Sequence, residues 1–177
     1  MSVWDLWLPI VVTGVVTHIL STLAWTVLPH HKPEWSGLSL QDGLDEALRT
    51  RGAQAGKQFM LHEGEAGGDT QSMNPALCRG TLIMWSHTPN MGVNIGLTLA
   101  YFFFTAFGIG YLASVAFTGE TKPLDVFRFT ATAGLLIHAI GGAPSIIWFR
   151  RKFLLDWLDG AAYALATGAA FALLWPS

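Results

Sequence analysis

Four long apolar segments constrain the fold of this chain more than any other feature of its sequence. Hydrophobic runs of about 18 or more residues are typical of membrane-spanning helices. Only 12% of the 177 residues are charged, whereas soluble domains carry about 25%. The four segments cover approximately residues 4–28, 91–117, 124–149 and 153–175. We therefore predict an all-α membrane protein, a four-transmembrane-helix up-down bundle with a cytoplasmic loop of about 60 residues, 29–89, between helices 1 and 2.

The first apolar segment is predicted to remain as a helix in the protein. A signal peptide begins with positively charged residues, whereas the flank MSVWDLW contains Asp5 and neither Lys nor Arg. The apolar run is also too long for the core of a signal peptide.

Basic residues predict the orientation of the bundle. They are concentrated in the loop 29–89 and in the short turn 150–152, which has the sequence RRK. Positive charges in short loops face the cytoplasm. We therefore expect a multi-pass protein with both termini outside and the long loop inside, where Cys78 stays reduced.

The loop 29–89 is predicted to be partly structured. Ser39 is a candidate N-cap for one short amphipathic helix with leucines at positions 40, 44 and 48. The Gly-rich stretch 52–75 is predicted to be mostly loop, and 76–85 to form a strand or an interfacial segment. In the third apolar segment, Pro144 predicts a kink near Gly141 and Gly142.

Small residues recur at every fourth position in two of the predicted helices. Such stripes let another helix approach closely, so we expect packing through them, either self-association or binding of other membrane subunits within the lipid bilayer. The stripes consist of Gly160, Ala164, Gly168 and Ala172 in helix four, and of Gly92, Gly96 and Ala100 in helix two.

Two histidines lie inside apolar segments. His18 and His138 each precede the predicted cytoplasmic helix end by eleven residues, a depth of about 16 Å at 1.5 Å per residue. Each has a glycine one turn earlier, Gly14 and Gly134. Axial imidazoles with small neighbours suggest a site for haem b or a chlorophyll-type pigment. The favoured interpretation is that both are neutral interior residues, hydrogen-bonded to hydroxyl or carbonyl groups.

A second group of polar residues lies near the predicted cytoplasmic end. Asn94, Asp156 and Asp159 suggest either an ion pathway or a binding mouth, and the alternative is a charged cap on the helical hairpin. His30, His31 and Lys32 follow the first helix, where positive charge is favoured. The histidines and the single cysteine of the loop lack the spacing of a zinc motif, so the sequence predicts no metal site.

The chain contains the segments LPHHKPEW, FRFTATAG, PSIIWFRRKF and GAAYALATGAAFALLWP. In these segments it resembles a group of uncharacterised bacterial inner-membrane proteins with four predicted transmembrane helices and a juxtamembrane LP-x-HK signature. The resemblance covers most of the chain, and His31 and Lys32 match its HK element. It implies the fold and the bacterial inner membrane, and it implies no activity.

Three functions are compatible with these features. The sequence contains no recognisable catalytic motif, so the favoured prediction is a non-enzymatic membrane protein, an accessory or structural subunit of a larger membrane complex. The alternative is an electron-transfer protein that holds haem b or a pigment between His18 and His138. A weaker alternative is a small transporter with Asp159 in its pathway, which requires a water-accessible cavity reaching that carboxylate.

Overall fold

The computed structural model describes residues 1–37, 43–63, 77–149 and 153–176. These residues belong to two compact units. The helical unit comprises Met1–Trp35 and Met91–Ser177, and the loop unit comprises Ser36–Asn90. The helices are α1 (Trp7–Thr22), α2 (Leu44–Thr50), α3 (Met91–Ala116), α4 (Pro123–Leu135), α5 (Ala143–Phe149) and α6 (Leu154–Leu173), and the strands are β1 (Gln58–His62) and β2 (Cys78–Ile83).

Within the described residues, three helical stretches are long and apolar enough to cross a membrane. They are Val3–Val27, Met91–Ala116 and Pro123–Phe149, and they coincide with the first three predicted segments. The last helix, α6, is outside this set, and its first two turns carry Asp156 and Asp159. The chain is thus mostly helical, and its described part contains three helical stretches that could span a bilayer.

The first and third of these stretches each change from α-helix to π-helix before they end. The π segments are Leu23–Val27 after α1 and Leu136–Ile140 after α4. Turns follow at Gly141 and Gly142, and α5 starts at Ala143 with Pro144 in its first turn. Because proline has no N–H to donate, it interrupts the helical ladder. The break predicted from Pro144 is confirmed.

The glycines of α6 allow close contact with the preceding span. A Cβ atom on Gly160 would lie 2.6 Å from the carbonyl oxygen of His138, and one on Gly134 would lie 3.1 Å from the Cα atom of Ala164. The predicted stripe on helix four is therefore used inside the chain, between α6 and the span that contains α4. On α3, by contrast, a Cβ on Gly96 would meet nothing within 4 Å.

The apolar core lies toward the end of the helical unit that carries both termini, which we call the terminal end. Ser2 begins the first helical turn there, since its hydroxyl accepts a hydrogen bond from the Trp4 N–H and its own N–H donates to Asp5. The buried residues of this core are Leu6, Ile10, Ala106, Ile109, Ala113, Val126 and Phe171. On the same side, Asp125 and Arg128 form an ion pair at 3.6 Å, with both side chains exposed.

The loop unit departs from the all-α prediction. Its strands β1 and β2 pair antiparallel, with a bulge between Leu61 and His62. β1 lies within the stretch 52–75, which was predicted to be mostly loop and of which 64–75 lies outside the described residues. The strand interpretation of 76–85 is confirmed by β2. Exposure alternates along β2, so one face of this strand is partly buried.

The predicted amphipathic helix of the loop is present as α2. It begins after Gly43, which has a φ of 85°, a left-handed conformation that glycine adopts without strain. The predicted cap at Ser39 and the RRK turn lie outside the described residues.

Candidate functional site

The candidate site lies at the end of the helical unit opposite the terminal end, where the first span stops and α6 begins. The span ends at Leu28, whose N–H still donates to the Leu23 carbonyl at 2.9 Å. Pro29 then starts a tight turn, because its carbonyl accepts the Lys32 N–H at 3.1 Å. The turn continues as a 3-10 helix over Lys32–Glu34. This short rigid segment places two consecutive imidazoles beside α6.

Both imidazoles converge on one carboxylate. His30 Nε2 lies 3.2 Å from Asp159 Oδ1, and His31 Nε2 lies 2.9 Å from Asp159 Oδ2. The other nitrogen of His31, Nδ1, lies 2.7 Å from Glu34 Oε2. We call these four residues the histidine–carboxylate cluster, and the end of the helical unit that carries it the histidine end.

Aromatic packing fixes the central ring of the cluster. The indole of Trp25 stacks on His31, with centroids 4.0 Å apart and planes inclined by only 4°. His31 is 4% exposed, whereas Asp159 is 16% and His30 25% exposed. The cluster is therefore closed around His31 and accessible from the side of His30.

The environment of His31 favours positive charge. Burial by itself lowers the pKa of this histidine, but hydrogen bonds to Glu34 and Asp159 and the negative charges of both carboxylates outweigh it. The net result is a pKa raised above the ordinary value of 6.5. A cation at this position, whether a proton or a metal ion, is thus stabilised by two carboxylates.

A cavity of about 340 Å³ adjoins the cluster. Asp159 belongs to both, and Tyr163 follows it one turn later on the same face of α6. Trp25 and His138 reach the cavity from the two π segments, and π segments occur frequently at functional sites. The volume lies in the range of small-ligand sites, about 300–1,000 Å³. The lining residues are Trp25, His138, Ala139, Gly142, Ser145, Ile146, Asp156, Trp157, Asp159 and Tyr163.

The two histidines of the apolar segments have different surroundings. His138 lines the cavity, whereas His18 is not among its lining residues. The Phe102 ring lies close to both imidazoles, 6.2 Å from His18 and 5.7 Å from His138 between centroids. A Cβ on Gly14 would lie 2.7 Å from the Phe103 ring. A tetrapyrrole between the two histidines would thus require both phenylalanines to move, and the cofactor hypothesis stays a prediction.

The favoured interpretation of His18 as a hydrogen-bonded interior residue also stays a prediction. Its ring atom Nδ1 is buried and has no hydrogen-bond partner among the described residues. The neighbouring hydroxyls bond to the backbone of their own helix instead, since Thr17 donates to the Thr13 carbonyl at 2.7 Å and Thr22 to the His18 carbonyl at 2.9 Å.

The remaining predicted site residues are distributed differently. Asp156 lines the cavity, and Lys32 is exposed in the turn. Asn94 is exposed on α3, where its carbonyl accepts the Thr98 hydroxyl at 2.8 Å. The structure therefore brings together His30, His31 and Asp159 from the predicted set, with Asp156 nearby.

Sequence reasoning missed Glu34. It stands three residues after His31 in a Pro-flanked turn, a spacing that places two side chains on one side of a helical turn. That signal was readable in the sequence. The contact between His31 and Asp159, which lies 128 residues further along the chain, has no local signal in the sequence.

The comparisons with known proteins give no relative from which function can be carried over. No protein-family model matches the chain, and neither the curated proteins nor the solved structures contain a match.

Proposed function

We propose that this chain is a small cation transporter of the membrane in which Asp159 is the cation-binding carboxylate. The observation that carries the proposal is the cavity of about 340 Å³ whose wall includes Asp159. Ionisable residues within a membrane protein typically line substrate or ion pathways. The transport hypothesis requires a cavity that reaches Asp159, and this cavity supports it. A sealed helix end would have contradicted it.

The proposal includes a four-span topology. Helix α6 has 20 residues, about 30 Å at 1.5 Å per residue, which matches the hydrocarbon thickness of a bilayer. We infer that α6 spans the membrane with its aspartates at the histidine end. By the positive-inside rule that end faces the cytoplasm, and by the resemblance of the sequence the membrane is the bacterial inner membrane.

Both carboxylates of the cavity attract cations, and its aromatic walls are compatible with them. Asp156 and Asp159 lie on α6, one turn apart. Trp25, Trp157 and Tyr163 add ring faces to the lining, and such faces attract cations. Because the cation is released again during transport, a partly exposed carboxylate suits this role better than a fully buried one.

The expected result of the Asp159→Asn substitution is the loss of cation flux. The purified protein is reconstituted into liposomes, and fluxes of protons, Na⁺, Zn²⁺ and tetraphenylphosphonium are measured against protein-free liposomes. We expect at least one of these cations to move, and its flux to fall by at least about tenfold in the variant, the factor that a loss of 1.4 kcal/mol in binding produces.

Asp125→Asn is the matched control for this measurement. Asp125 is also a helical carboxylate, but it lies at the terminal end and is 51% exposed beside Arg128. Its substitution should leave the flux unchanged. Protein that moves none of the four cations, or an Asp159→Asn variant as active as the wild type, would overturn the proposed function.

The prediction of an accessory subunit remains a second candidate. The observation that favours it is on α3, where a Cβ atom on the exposed Gly96 would have open space beside it. Stable association through this face predicts an oligomer or a heteromeric complex after extraction. Light scattering of the detergent-solubilised protein tests this, and a clean monomer counts against it.

A further inference from the structure

We propose that His30, His31 and Asp159 together bind one divalent first-row transition-metal ion. The inference deepens the proposed function and rests on it, because it names the class of cation that the site accepts. It concerns equilibrium binding, however, and can therefore be tested separately from flux.

The donor set selects this class of metal. Two imidazole nitrogens and one carboxylate oxygen are ligands that Zn²⁺, Mn²⁺, Fe²⁺ and Co²⁺ share. Ca²⁺ and Mg²⁺ prefer oxygen ligands throughout. Sites of three protein ligands also leave a coordination position open, as an ion that must enter and leave requires.

The spacing of the donor atoms fits one ion. One candidate ligand atom from each of the three residues lies within 4.8 Å of the other two. Metal–ligand bonds of about 2.0–2.2 Å separate neighbouring ligand atoms by roughly 3.0–3.5 Å. The nitrogen–oxygen contacts of 3.2 Å for His30 and 2.9 Å for His31 are close to this range, so small side-chain movements suffice to admit the ion.

Glu34 selects the ring form that binds a metal. Its carboxylate lies 2.7 Å from His31 Nδ1. An ionised carboxylate can only accept a hydrogen bond, so this contact favours the ring form with the proton on Nδ1. In the neutral ring, Nε2 then has a lone pair that faces the Asp159 oxygen at 2.9 Å. A ring lone pair and a carboxylate oxygen repel each other at this distance, so a proton or a metal ion between them stabilises the contact. A carboxylate behind a ligand histidine is the usual outer-shell arrangement of metal sites.

The site is preorganised in the fold. Pro29 and Pro33 restrict the backbone on either side of the two histidines, and the Trp25 ring holds the plane of His31. Asp159 projects from α6 next to Gly160, whose close contact with the His138 backbone fixes the position of that helix. The ligands therefore lose little conformational freedom when an ion binds.

Equilibrium binding to the full-length protein tests the inference. The protein is purified in detergent without a polyhistidine tag, treated with EDTA and titrated with Zn²⁺, Mn²⁺ and Mg²⁺ by calorimetry. We expect one Zn²⁺ per chain, weaker Mn²⁺ binding and no Mg²⁺ binding. His31→Ala and Asp159→Asn should each lower the Zn²⁺ affinity by at least about 100-fold, and Glu34→Gln by about 10–100-fold.

Two further variants keep the test decisive. His30→Ala removes a ligand from the more exposed side of the cluster, so it is informative even where His31→Ala fails to fold, as judged by circular dichroism. His87→Ala removes an exposed histidine of the loop unit and should bind Zn²⁺ like the wild type.

The outcomes separate the two proposals. No saturable Zn²⁺ binding by the intact protein, or unchanged binding in folded His30→Ala and Asp159→Asn, overturns the metal site. Flux of a cation other than Zn²⁺ without Zn²⁺ binding overturns the metal site and leaves the transport function standing. Zn²⁺ binding that depends on these residues, without flux of any cation, supports the metal site and overturns transport.

Discussion

Gly160→Ala is expected to destabilise the helical unit by about 1–3 kcal/mol, the usual cost of inserting atoms into a packed interior. The added Cβ would lie 2.6 Å from the His138 carbonyl oxygen and 2.8 Å from the Ala139 Cα atom. Both are backbone atoms, so a side-chain rotation cannot relieve the overlap and α6 must move. Because Gly160 follows Asp159, the same movement displaces the carboxylate from the two histidines. Thermal unfolding in detergent, followed by circular dichroism, measures the loss.

Gly108→Ala is the matched control for this substitution. Gly108 lies inside α3, and a Cβ there would meet nothing within 4 Å. Alanine has a higher helix propensity than glycine by about 0.8–1.0 kcal/mol, so this variant should be as stable as the wild type or more so. Equal unfolding temperatures for Gly160→Ala and Gly108→Ala would contradict the close contact between α6 and the π segment that follows α4.

The helices of this chain were predictable because lipid imposes a strong pattern. A span must satisfy its backbone hydrogen bonds internally and present apolar side chains, so long apolar runs such as 91–117 coincide with helices. The break near Pro144 was predictable for a local reason, the missing N–H. The π segments were not predictable, because one widened turn does not change the apolar periodicity detectably over five residues.

The hairpin of the loop unit was partly hidden by composition. Glycines and polar residues around β1 indicate loop structure, and the pairing Gln58↔Ile83 joins segments 25 positions apart in the chain. Strand pairing of this kind depends on cross-strand contacts that a local pattern does not contain. By contrast, the stretch 76–85 was readable as a possible strand, because it returns to apolar character after the Gly-rich segment.

The candidate site was only half predictable. His30, His31 and Asp159 each stood out as polar residues at the edge of an apolar segment, yet nothing in the sequence paired them. The equal depth of His18 and His138 suggested a pair instead, and the side chain of Phe102 lies close to both. Which helix ends meet is decided by packing, here by the glycine of α6 that lets it approach the third span.

Phe171→Ala is expected to destabilise the protein by roughly 2 kcal/mol or more while leaving the site intact. The Phe171 ring is 0% exposed in the core of the terminal end. Its removal leaves a void of roughly 100 Å³, which costs about 24 cal/mol per Å³ where the surroundings relax little. In water, the loss would also include the free energy of transferring the side chain from solvent into the core. In a bilayer this contribution is smaller, because lipid tails are as apolar as the core. Denaturation of the detergent-solubilised protein measures the loss.

Phe104→Ala is the control that shows how much of the stability lost in Phe171→Ala comes from core packing. Phe104 is 78% exposed on α3, so its truncation opens no cavity and should change stability by less than about 0.5 kcal/mol, as for surface substitutions in general. Phe171 and Asp159 lie on the same helix, three turns apart, and share no contact. A Phe171→Ala variant that is less stable but binds Zn²⁺ with wild-type affinity would show that the core at the terminal end supports the fold and the histidine end carries the chemistry. Equal stability of the two phenylalanine variants would contradict the packing of Phe171 in the core.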